Sequence, residues 1–254
     1  MPFSTRWLTG ALLAGLSSCA AVVPHTLQTP WVASQGETEI GANLGLHGSD
    51  LQAAHALTEQ VTLIGSVHQR IRSKHGHWAY VGEAGAGYNW QRPHNQRWTL
   101  YGGLGYGAGY AYDTFCADGC GSPTSDRVRY GYGFVQPTYR WLAANSRFGL
   151  SAAVKVSAVD FLRWQETVSS YPGFPTDSTA GAYPTRTTNR AGYGGIMLQP
   201  GVNFFVDVTP RLRLTYSGSL FVPLRRDFPS VLPFAVGIGL QYHVGGAPAA
   251  DAGR

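Results

Sequence analysis

From residue 37 onward the chain alternates between apolar and polar positions. In 37–46 (ETEIGANLGL), Ile40, Ala42, Leu44 and Leu46 share one parity, and Glu37, Glu39 and Asn43 share the other. A period of two is the signature of a strand whose faces meet different surroundings. The pattern recurs in ten segments: 37–46, 49–57, 60–72, 77–91, 97–113, 127–143, 147–162, 191–207, 211–225 and 231–244. The last is the clearest, with Phe234, Val236, Ile238, Leu240, Tyr242 and Val244 set against Gly237, Gly239, Gln241 and His243. In 127–143, Tyr130, Tyr132 and Phe134 keep one parity while Tyr139 and Trp141 take the other, which predicts a bulge near Pro137.

The connections also have a pattern. Those after the second, fourth, sixth and eighth segments are short, and those after the third, fifth, seventh and ninth tend to be longer. Several segments exceed the common soluble strand of about 5–6 residues and reach the roughly 9–11 that a tilted membrane strand needs. The less apolar faces carry Gly, Ser, Thr, Asn and Gln with few charges, whereas a water-facing surface normally carries many Lys and Glu. The predicted fold is all-β: an up-and-down antiparallel transmembrane β-barrel of about ten strands, eight or twelve being the neighbouring possibilities. The competing class is a lipid-tethered soluble β-barrel that binds a small apolar ligand.

Composition sharpens this. Only 13% of the 254 residues are charged, while 33 are Gly, 14 Tyr, 11 Phe and 7 Trp. The net charge of +5 comes without a Lys/Arg run, which argues against nucleic acid as a partner. Residues 1–18 read as a signal peptide, with Arg6 before a short apolar run, LTGALLAGL. The tetrapeptide Leu16-Ser17-Ser18-Cys19 is similar to a bacterial lipobox, which makes Cys19 the expected lipid anchor; an ordinary signal peptide cut near Ala20 is the alternative. Residues 19–36 contain Pro24 and Pro30, lack periodicity and are expected to form a periplasmic tether. Residues 245–254 (GGAPAADAGR) are expected to be a disordered tail. Outside the cytoplasm Cys116 and Cys120, in CADGC, suit a disulfide; a metal site would lack a third ligand nearby.

One stretch invites another reading. In LYGGLGYGAGYAYDTF, residues 100–115, Gly103, Gly105 and Ala108 match a dinucleotide-binding fingerprint. That motif needs a βαβ context, and here no helix follows. The alternation is the stronger signal: Leu100, Leu104, Tyr106, Tyr110 and Tyr112 form a lipid face, and Gly103, Gly105, Gly107 and Gly109 leave the inner face bare.

Together LSSC, the segment VVPHTLQTP, QGETEIGANLGL, DLQAAHALTEQVTLIGS and the closing FAVGIGLQYHV resemble the small outer-membrane β-barrel proteins of Gram-negative bacteria, of a lipidated kind, over roughly residues 19 to 244. The resemblance implies an outer-membrane location, contact with membrane lipid and lipopolysaccharide, and insertion by the barrel-assembly machinery, with the closing signal at Leu240, Tyr242 and Val244. It departs from the family in that the chain runs on past its last strand.

Charges on the expected inner faces are Glu39, Glu83, Arg129, Lys155 and Arg213, with Glu37 and Arg211 nearer the ends. Ions in a narrow lumen must be paired or solvated, so these residues are expected to form a salt-bridge network that fills the barrel; a polar permeation path is the alternative. Enzymatic readings lack a constellation. Asp113, Asp118, Asp126, Asp160, Asp177, His75 and His77 fall near outer ends without the paired acids of outer-membrane proteases, and Ser66 with His68 only loosely suggests a lipid A deacylase. The loop 164–190 carries Tyr171, Phe174, Tyr183 and Arg186, candidates for binding a surface ligand such as an anionic sugar headgroup. The expected function is therefore non-enzymatic, without cofactor or metal: structural, adhesive or passing a narrow solute.

Overall fold

A computed structural model describes residues 20–23, 25–32, 34–70, 76–92, 96–113, 124–143, 147–169, 185–190, 192–224, 228–229 and 231–245. Twelve strands occur among them: β1 (Thr38–Gly45), β2 (Gly48–Ala56), β3 (Val61–Arg70), β4 (Trp78–Arg92), β5 (Gln96–Asp113), β6 (Thr124–Leu142), β7 (Phe148–Ser169), β8 (Thr185–Arg190), β9 (Tyr193–Asp207), β10 (Leu212–Leu220), β11 (Val222–Pro223) and β12 (Phe234–Val244). Ten are staves of a closed, up-and-down antiparallel barrel. Each pairs with the next in chain order, β7 passes over β8 to pair with β9, and β12 closes onto β1 through Ile40↔Tyr242 and Leu44↔Ile238. Strand β8 continues the sheet only along the far end of β7, and β11 adds two residues beside β9. Closure leaves no full-length edge whose backbone would go unpaired.

The pleat sorts the two parities. Outward stand large apolar residues such as Leu44, Leu104, Tyr216 and Ile238, exposed by 70, 73, 55 and 53%. Inward stand Glu39, Asn43, Gln52, Gln136, Lys155, Gln199 and Arg213, all under 10% exposed. A soluble barrel puts its apolar face inside. Here the order is inverted. Each outward Leu gains about 1.5–3 kcal/mol by leaving water, a gain that a hydrocarbon surrounding supplies and an aqueous one does not.

Strand β6 corrects the expected facing. Its even positions point inward without interruption from Val128 to Leu142, so there is no bulge at Pro137. What changes at that point is the lining: Tyr130, Tyr132 and Phe134 give way to Gln136, Thr138 and Arg140. The register shifts instead at Arg129/Tyr130, where β7 carries one extra residue: Tyr130 pairs with Phe161 and Arg129 with Arg163, skipping Leu162. Arg129 therefore faces outward rather than into the lumen, and Trp164 turns back inward.

The expected loop 164–190 is in part a hairpin. Strand β7 runs to Ser169 and pairs with β8. Cross-strand contacts hold it: Arg190 bonds Glu166 at 3.0 Å and lies 4.6 Å from the Trp164 ring. Residues 170–184, which include Tyr171, Phe174 and Tyr183, lie outside the described residues, as do Cys19, Cys116, Cys120 and the tail beyond residue 245.

The largest departure concerns the expected tether. Ala20 to Val23 and His25 to Thr29 are buried, and they lie inside the barrel. In chain order the segment enters at the end opposite the start of β1 and leaves at the end where β1 begins, called here the loop end and the turn end. At the turn end, Trp31 N donates to Glu39 and Gly36, at φ 81°, helps reverse the chain into β1. At the loop end, Arg70 reaches the Ala20 carbonyl, and Val22 bridges Val231 in parallel.

Candidate functional site

Because residues 25–32 form no regular secondary structure, their polar backbone groups must be met by the wall. Carboxamides on separate strands do this. Gln52 on β2 donates to the Thr26 carbonyl at 3.1 Å, Gln136 on β6 to that of Gln28 at 2.8 Å, and Gln199 on β9 to that of His25 at 2.8 Å. Arg97 on β5 donates to the Val32 carbonyl. Side chains add Asn203 to Thr29 Oγ1 at 3.1 Å, Thr26 Oγ1 to Asp50 at 3.1 Å, and Gln28 to the Ala53 carbonyl at 2.6 Å.

Midway, the segment meets a charge cluster. The Glu83 carboxylate pairs with Lys155, accepts from Tyr132 Oη at 2.6 Å and from Ser66 Oγ at 3.5 Å, and lies 2.9 Å from His25 Nε2. Lys155 is 2% exposed, and its ammonium stands 4.4 Å from the Phe134 ring centre, which adds cation–π attraction to the ion pair. A charge this buried persists only when its partner is in place. Toward the loop end an apolar collar, including Val81, Tyr130, Phe161, Trp164, Met197 and Phe221, packs with Ala21 and Val22.

Charge clusters also occupy the turn end. His243 lies 3.2 Å from Glu37 and 3.5 Å from Glu39. Arg213 forks onto Asp207 at 2.6 and 3.1 Å over the Phe205 ring. Arg140 is fully buried and donates to Tyr101 Oη, while its Nε and Nη1 have no partner among the described residues.

The bare glycine face of β5 is filled from β6. A Cβ on Gly105 would overlap the Tyr132 ring, one on Gly107 the Tyr130 ring, and one on Gly103 the Phe134 ring and the Ala84 carbonyl. At Gly109 it would strike the carbonyl of Ala21 in the threaded segment. The glycines thus admit three aromatic rings and the N-terminal segment to one narrow lumen.

Of the residues expected to share a network, Glu83 and Lys155 meet directly. Glu39 sits in the turn-end group, Arg213 pairs with Asp207, and Arg129 is outside the barrel wall. Arg186 is exposed on β8. Ser66 and His68 share the inner wall, yet Ser66 turns to Glu83 and His68 to Asp50 at 2.9 Å. His25, Gln28 and Trp31 were not among the expected site residues. Their signal was the absence of any charged residue in 20–32, unusual for a chain meant to lie in water.

No protein-family profile matches the chain, and no curated protein does. Among solved structures, the outer membrane protease OmpT from Escherichia coli is similar at 11% identity, with a TM-score of 0.52 over 82% of this chain and 92% of that one. The N-terminal β-barrel domain of Pseudomonas aeruginosa OprF matches at 11% identity and a TM-score of 0.34, over 83% and 98%. The likeness to OmpT is one of fold.

Proposed function

We propose that this chain is an integral outer-membrane β-barrel, kept closed by its own N-terminal segment, with a non-enzymatic role in the envelope and its loop end presented at the surface. The observation that carries the reading is the inverted sorting of side chains around an occupied lumen. A belt of Leu, Val, Ile and Tyr faces outward, and a polar wall faces a buried peptide. Such a belt suits lipid contact, and short turns at one end with longer connections at the other suit insertion with the loop end outermost. The occupied lumen favours a structural or surface-binding role over solute passage. Hydrolysis is disfavoured by the burial of the acid–histidine pair, Asp50 and His68, 3 and 4% exposed beneath the segment. The β7–β8 hairpin, with Arg186 exposed, stands at the end where a surface ligand would bind.

Lipidation at Cys19 belongs to the same proposal. Ala20 lies at the loop end, so an acyl chain on the preceding residue would enter the membrane from that side. One purified sample tests both parts. Extracted in detergent, the protein is expected to run compact on a gel unless boiled, and its mature N-terminal peptide, beginning at Cys19, is expected to be heavier than the bare peptide by at least a diacylglyceryl group. Equal migration with and without boiling would favour the tethered soluble barrel, and an unmodified N-terminus would remove the anchor.

A further inference from the structure

Three arginines stand outside the wall toward the loop end. Arg127 and Arg129 are exposed on the outward parity of β6, and Arg163 is exposed on β7. In the register Arg129 lies directly opposite Arg163, and Arg127 opposite Gln165. The extra residue of β7 creates this arrangement. Phe161 faces inward, and Arg163, two positions on, would follow it; the skipped Leu162 turns Arg163 outward beside Arg129. Like charges directly opposite one another repel. Among the described residues none of the three has an ion-pair partner. Arg163 reaches Gln165 only at 3.5 Å, and Arg127 lies 5.8 Å from the Tyr110 ring centre. The nearby carboxylates are placed elsewhere. Asp160 sits opposite Gly131, Glu166 turns to Arg190, and Asp126 to the Trp164 indole.

Depth decides what meets them. Tyr139 and Trp141, outward at the turn end of β6, mark one interface. From Trp141 to Arg129 the strand climbs about 28–33 Å, at about 3.3 Å per residue and a tilt of about 35–45°. That exceeds an apolar band of about 25 Å, so the guanidinium groups stand level with headgroups and not with acyl chains. We propose that Arg127, Arg129 and Arg163 form a binding site on the outer wall for the phosphate of a lipid headgroup in the leaflet at the loop end. This rests on the reading that the barrel lies in a membrane with that end outermost. Phosphate oxygens accept from two guanidinium forks at once, which turns the repulsion across Arg129 and Arg163 into shared attraction. Arg127, beside them over Tyr110, closes the site toward β5.

The test keeps the full chain, held in dodecyl maltoside micelles doped with dipalmitoyl phosphatidic acid, and native mass spectrometry reads the lipid retained. Phosphatidylcholine with the same chains and inorganic phosphate are the comparisons. Phosphatidic acid is expected to be retained at least about tenfold better than phosphatidylcholine, and inorganic phosphate at equal concentration is expected not to displace it. Arg129→Gln and Arg163→Gln are each expected to weaken retention about tenfold, the scale of one charge-assisted hydrogen bond. Arg211→Gln, exposed at the turn end, is expected to leave it unchanged. In lipid-free micelles Arg129→Gln should unfold at the urea midpoint of the parent or above it, because it relieves the repulsion from Arg163; a merely structural arginine would give a fall. Equal retention of the two lipids, or retention indifferent to both arginine changes, would overturn the proposal. Displacement by inorganic phosphate as effective as by the lipid would overturn it too, by making the site one for a free anion. Failure of the membrane reading would show separately, as gel migration that boiling does not change.

Discussion

Replacing Lys155 by Met is expected to be among the most damaging single changes in this barrel. The substitution keeps volume and removes the ammonium, leaving the buried Glu83 carboxylate with His25 as its remaining basic partner. Breaking one half of a buried pair typically costs about 3–5 kcal/mol. Glu83→Gln is expected to do similar harm from the other side, stranding an ammonium beneath the Phe134 and Tyr132 rings. The double variant should recover most of the loss, since neither charge is then left alone. The readout is the urea midpoint at which the unboiled gel form disappears. Single variants as stable as the parent would mean that the pair is solvated and that the lumen is open to water.

Gly105→Val is expected to be comparably severe for a different reason. Its Cβ would overlap the far end of the Tyr132 ring. That ring cannot swing clear without giving up its 2.6 Å bond to Glu83. Overpacking costs about 1–3 kcal/mol, and the displaced hydroxyl leaves a buried carboxylate short of a donor at about 1–3 kcal/mol more. Gly82→Val is the matched control: it points outward from β4, no atom lies within 4 Å of where its Cβ would stand, and a change within about 0.5 kcal/mol is expected there. Truncating the ring should relieve the clash, so Gly105→Val with Tyr132→Ala is expected to be milder than the two losses summed. Equal stability for Gly105→Val and Gly82→Val would show that the inner face of β5 has spare room.

These two sites also mark how far the sequence could be read. Strands β1, β2, β3, β9, β10 and β12 were legible because most outward positions are apolar and most inward ones are small or polar, a contrast visible within the strand itself. Strand β6 was not, because its inward tyrosines look like a lipid face. Whether a ring points in or out depends on the glycines it meets on β5, and that pairing, Gly105↔Tyr132 and Gly107↔Tyr130, lies outside any local window. The same applies more strongly to residues 20–32. Their partners sit from 8 residues away, at Glu39, to 174 away, at Gln199 and Asn203. Two prolines and no periodicity gave the appearance of a linker; only the closed wall supplies the hydrogen bonds that turn it into a filling. The Glu83–Lys155 pair was within reach because both sit at inward positions, whereas Arg129 followed the mistaken facing of its strand.

Ion conductance across a planar bilayer, recorded from the full chain and from the same chain cut between Gln35 and Gly36 and then washed in urea below the unfolding midpoint, bears most directly on whether the N-terminal segment closes the barrel. The intact protein should be silent. The cut and washed protein should open discrete steps that close again when residues 20–35 are added back as a peptide. Steps of the same size from the intact chain, or silence after the segment has been shown by mass to be gone, would contradict it.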